Sequence, residues 1–66
     1  MDDGTKSKLL NAIYPRKAVW RMAAGNLETD GRGMILAATP DSFEVRTEQG
    51  DTYTQATADV LTLLLL

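Results

Sequence analysis

Trp20 and the cations around it are the residues of this 66-residue chain best suited to chemistry. Arg16, Lys17 and Arg21 flank it, and Lys6 and Lys8 extend the same basic third. An indole ringed by cations stacks a nucleobase while the cations hold phosphates. The candidate nucleic-acid contacts are therefore Lys6, Lys8, Arg16, Lys17, Trp20 and Arg21. A plainer reading competes with this one. On a strand, alternation puts Trp20 on one face and Lys17 and Arg21 on the other. Trp20 is then core, and the lysines of a preceding helix are its wet face.

Other chemistry finds little support. Ser7 and Ser42 lack a base, because the chain has no histidine and nothing positions a lysine beside them. Asp30, Asp41, Glu48 and Asp51 fall in expected turns, where carboxylates bond their own backbone. Asp30-Gly31-Arg32-Gly33 lacks the alternate ligands and closing glutamate of a calcium loop. Gly31-Arg32-Gly33 lacks the extra glycines, lysine and following helix of a phosphate loop. Without cysteine there is no thiolate zinc site and no disulfide. No enzyme activity, cofactor or metal is expected.

Size and charge narrow the classes. A chain this short forms one domain spanning 1–66 and buries only about 60% of its unfolded surface. Domains of this size are often stapled by disulfides, metals or oligomerisation. Only the last remains plausible here. The net charge is −2, which argues mildly against bulk affinity for nucleic acid. The charge is unevenly spread: residues 1–23 carry +3 and residues 24–66 carry −5. The start, Met1-Asp2-Asp3-Gly4, is acidic and unlike a signal peptide. The uncharged run Val60–Leu66 is far shorter than the ~20 residues of a membrane span. A cytoplasmic protein without membrane contact is expected.

The elements that must position these residues follow from local pattern. Residues 1–4 are expected to be disordered. Thr5 caps a helix over Lys6–Tyr14, with Leu9, Leu10, Ile13 and Tyr14 as its apolar stripe. Pro15 ends it. Residues 16–25 suit a strand, with Ala18, Trp20 and Met22 on one face. They also suit a helix with Pro15 at its start and Gly25 beyond its end. Asn26–Gly33 reads as a loop around the turn signal Thr29-Asp30-Gly31. Met34–Ala38 reads as a strand buried on both faces, and Thr39-Pro40-Asp41-Ser42 as a turn.

Ser42–Thr47 alternates with period two, Phe43, Val45 and Thr47 facing one way and Ser42, Glu44 and Arg46 the other. Glu48-Gln49-Gly50 follows as a three-residue hairpin loop. That length pairs Thr47 with Asp51, Val45 with Tyr53 and Phe43 with Gln55. Ala56–Asp59 is a short connection. Val60–Leu65 is a last strand with leucines on both faces, a hazard if its edge is left open.

Over residues 33–65 the order is glycine, apolar strand, Asp41-Ser42-Phe43 turn, alternating strand, Gln49-Gly50-Asp51 turn, strand, small turn and apolar strand. This order resembles the small Sm-like and SH3-like barrels. The resemblance implies a five-stranded, strongly bent barrel that forms rings through its edge strands and binds single-stranded RNA. It puts Asp41 and Phe43 near the family's base-stacking loop, without that loop's asparagine. Thr57-Ala58-Asp59 stands where the family carries a cation and a glycine, and an aspartate there repels phosphate.

The fold expected is therefore mostly β (α+β): an N-terminal helix, then a small five-stranded, strongly bent barrel or curved antiparallel sheet. The function expected is a non-enzymatic interaction module that self-associates as a homo-oligomer and contacts a protein partner. Leu61, Leu63 and Leu65 are the candidate self-association residues. The alternative function is a small barrel that binds single-stranded nucleic acid through the basic third.

Overall fold

Asp2 starts the first element. In a computed structural model describing residues 1–66, its side chain accepts the Thr5 amide at 2.8 Å and caps helix α1, Asp3–Asn11. The helix thus begins inside the segment expected to be disordered and ends three residues before Tyr14. An aspartate in extended conformation satisfies an amide of the first turn, which threonine at position 5 cannot do once it lies inside the helix. The expected stripe is split as a result. Leu9 is buried, whereas Leu10 is half-open and Ile13 lies beyond the helix in solvent. Tyr14 folds back, and its hydroxyl donates to the Leu9 carbonyl.

Five antiparallel strands follow: β1 Arg16–Ala24, β2 Leu27–Ala38, β3 Ser42–Arg46, β4 Thr52–Ala56 and β5 Val60–Leu65. They form one curved sheet in the order β4-β3-β2-β1-β5. The sheet does not close, since β4 and β5 are its two edges. The strand reading of residues 16–25 holds.

The largest departure from expectation is at residues 26–33. This stretch is the first half of β2, paired residue for residue with β1 from Ala24↔Leu27 to Ala18↔Gly33. The turn is the two residues Gly25 and Asn26, with glycine at the first central position at φ 64°. Gly31, expected in a turn, serves a different purpose. It lies opposite Trp20, and a Cβ there would stand 2.1 Å from the indole Nε1. The glycine leaves the space that the indole fills.

The β3–β4 hairpin matches expectation closely. Phe43 pairs with Gln55 and Val45 with Tyr53. Thr47 donates to the Asp51 carbonyl at 2.8 Å, and Gly50 takes φ 90°. Phe43 and Val45 are buried as the alternation requires. Met34–Ala38 is less buried than expected. Only Ile35 is fully enclosed, because a bulge between Ile35 and Ala37 takes Leu36 out of the ladder and the outer face stays open. A 3₁₀ turn, Thr57–Asp59, joins β4 to β5. Thr57 ties it to the β2–β3 turn, donating from its amide to the Asp41 carbonyl at 2.9 Å and from its hydroxyl to the Pro40 carbonyl at 3.0 Å.

The core lies on the inner face under α1. It comprises Leu9, Ala18, Trp20, Ile35, Phe43, Val45 and Val60. Trp20 meets Phe43 edge-on at 5.2 Å between ring centroids, the orientation that sets one ring's positive edge against the other's negative face.

Candidate functional site

The basic third does not converge on Trp20. The indole is only 3% exposed and faces inward, so it cannot stack a base. Lys17 and Arg21 lie on the opposite, outer face. Arg21 is neutralised there by Glu28 at 3.2 Å and Asp30 at 3.5 Å. Lys6 and Lys8 stay on α1. Lys8 and Arg16 do come together, both lining a groove of about 440 Å³ between α1 and Leu63, Leu64 and Leu65 of β5. Phe43, which the family resemblance sets in a base-stacking loop, is 1% exposed and belongs to the core.

The leucine strand is divided by a bulge. Val60 pairs with Met22, but Thr62 pairs with Arg21, so Leu61 is extra. Beyond the bulge Leu63 and Leu65 lie opposite Trp20 and Ala18 and pack against the core. Of the candidate self-association residues, then, only Leu61 is exposed as a side chain. Leu64 and Leu66 at the end of the chain are exposed as well, joined on the outer face by Val19 across the pair Val19↔Leu64.

The backbone of β5 is open where those side chains are not. The Leu66 amide donates to the Lys17 carbonyl at 2.9 Å. The two-residue period of an antiparallel ladder then turns Leu64 and Thr62 toward β1, and the amides and carbonyls of Leu63 and Leu65 outward. Only the start of this edge is occupied, by the Met1 ammonium donating to the Val60 carbonyl at 2.8 Å. The same period, set by the Thr47–Asp51 bond, turns the backbone of Thr52 and Thr54 outward along β4. One sheet thus ends in two unlike open edges, leucine-rich β5 and threonine-rich β4.

Carboxylates do not gather: no group of three or more could hold a metal ion. Asp30 and Glu48 each pair with an arginine instead. The Asp2 carboxyl is held below its ordinary 3.8 by its bonds to Thr5. Burial pushes the Tyr14 and Tyr53 phenols above their ordinary 10.0. No helix is long and apolar enough to cross a membrane.

Two functional candidates escaped the sequence reading, Arg32 and Arg46. Both lie on the outer face with Lys17 around one concavity. The alternation of Ser42–Thr47 already put Arg46 on the wet face. Arg32 was out of reach because its segment reads as a loop.

The arrangement defines a small, mostly-β domain built on an open, curved antiparallel sheet. Its sequence matches no protein-family model, and neither a curated protein nor a solved structure matches it.

Proposed function

We propose that this chain is a non-enzymatic assembly module. It forms a homo-oligomer by joining the β5 edge of one copy to the β4 edge of the next, and the assembly contacts a protein partner. The observation that carries this reading is the pair of unlike open edges on one sheet. An uncovered edge offers a row of unpaired amides and carbonyls to any passing strand. Two different edges joined head to tail make a heterologous contact, which closes into a ring when the rotation allows. Exposed Leu61, Leu64 and Leu66 beside β5 add apolar area to that contact. The cations Lys8 and Arg16 flank the same edge and favour a carboxylate on the approaching chain. Asp51 immediately precedes β4. The resemblance of the strand and turn order to the Sm-like barrels points the same way. A cytoplasmic setting belongs to this reading.

Proline at position 54 tests it. Thr54 is exposed, and its amide faces away from β3, so Thr54→Pro removes an outward donor and leaves the β3–β4 ladder intact. Sedimentation velocity is expected to show an oligomer for the unmodified chain and a folded monomer for Thr54→Pro. A clean monomer of the unmodified chain at high micromolar concentration sinks the proposal.

A further inference from the structure

The cations of the outer face are not equivalent. Arg21 is held between Glu28 and Asp30, and Arg32 is held by Glu48 at 2.8 Å. Lys17 and Arg46 have no carboxylate partner. The ladder sets these two unpartnered cations on either side of one residue. Lys17 pairs with Met34, and Met34 pairs with Arg46. Two strand spacings separate their backbones, about 10 Å, and both side chains line one concavity with Met34.

Between them lies a concavity of about 360 Å³, lined also by Val19, Arg32 and Leu66. Its charged side chains are Lys17, Arg32 and Arg46 against Glu48. A positive excess therefore sits on an otherwise acidic protein. Glu44 shares the strand face two residues before Arg46 and makes no ion pair. The floor is apolar and the walls are cationic, a combination that neither water nor a bare ion satisfies.

We infer that this concavity binds a small oxyanion carried on an apolar body. The Arg46 guanidinium presents a planar fork of donors that suits a phosphate or carboxylate, and Lys17 adds a point charge from the far side. The body lies on Met34 and Val19. The volume stands at the low end of small-molecule sites, which limits that body to about one ring. An inorganic anion leaves the apolar floor uncovered, and a neutral ring leaves both cations unpaired, so each binds more weakly than the two joined.

Amide chemical shifts of the full chain, titrated with phenyl phosphate, benzoate, inorganic phosphate and phenol, test the site. Phenyl phosphate or benzoate is expected to move the amides of Lys17, Arg32, Met34 and Arg46 at ~1 mM. The tighter of the two names the oxyanion. Lys17→Gln and Arg46→Gln are each expected to weaken binding about tenfold, the loss of one charge-assisted hydrogen bond. Both side chains are exposed, so dispersed spectra of the variants establish that the fold is retained. The sedimentation of these variants should match that of the unmodified chain, which separates this site from the β4–β5 contact. The inference fails if inorganic phosphate binds as tightly as phenyl phosphate, if neither ring compound binds, or if the shifts survive both substitutions.

Discussion

Gly31→Ala is the sharpest test of how this fold is packed, because two effects of opposite sign meet there. In an unencumbered strand, alanine is favoured over glycine by roughly 0.5–1 kcal/mol, since it orders less backbone on folding. Here the added Cβ would stand 2.1 Å from the Trp20 Nε1, 2.4 Å from Cε2 and 2.9 Å from Cδ1. Carbon contacts are comfortable at ~3.5–4.0 Å, so the indole must retreat by more than an ångström. It has nowhere to go, being 3% exposed and braced edge-on against Phe43. Overpacking of this kind costs about 1–3 kcal/mol, and a rigid double ring argues for the upper end.

Subtracting the strand preference leaves a net destabilisation of ~2 kcal/mol. For a domain of this size that lowers the melting temperature by ~8–16 °C. It is a large share of a total stability of roughly 3–10 kcal/mol. Urea unfolding followed by tryptophan fluorescence is the natural assay, because Trp20 is the only tryptophan and reports its own burial. The midpoint should fall and the native emission should shift to the red. In a Trp20→Phe background, followed by circular dichroism because no tryptophan remains, the same substitution should cost less, with a coupling energy of about 0.5–3 kcal/mol. Stabilisation by Gly31→Ala, or an unchanged midpoint with unchanged emission, would refute the reasoning.

The remaining predictions concern α1. Leu9 is its only buried residue, so Leu9→Ala should cost about 2–5 kcal/mol and expose the α1 amides to hydrogen exchange before those of β2. The Asp2 cap gives a pH signature. Its pKa is lowered on folding below 3.8, mainly by the bond to Thr5. Its contribution is therefore complete above 3.8 and is lost as pH falls through the folded value. Asp2→Ala should be less stable than the unmodified chain at neutral pH, and the two unfolding midpoints should converge in acid. A gap that persists in acid would mean that the carboxylate is not what caps the helix.

Much of the fold was legible in the sequence because its signals there are local. The alternation of Ser42–Thr47 and the turn residues on either side place β3, the register of β3 with β4 and the inward faces of Phe43 and Val45. Val19 and Trp20 favour β1 over the helix that Pro15 and Gly25 would also suit, and alternation gives its buried face. The helix starts three residues earlier than expected because Asp2, not Thr5, caps it by accepting the Thr5 amide. The candidate site was far less legible. Lys17 and Arg46 are 29 positions apart in the chain. No pattern of spacing announces that Met34 will lie between them.

The sequence alone determined the strand that follows the β3–β4 hairpin, the turn chemistry of that hairpin and which side of β3 is apolar. These depend on steric preferences and on a period of two, and both act over a few neighbouring residues. Tertiary structure decided the rest. Thr29-Asp30-Gly31 has the composition of a turn, yet it is strand, because pairing with β1 and the indole of Trp20 outweighs a local preference. Leu61, Leu63 and Leu65 look like one face, yet a single bulge against β1 sets Leu61 apart and turns the other two inward. A local signal specifies what a residue prefers. The partner across the sheet specifies which face it shows, and one extra residue in a ladder reverses that face.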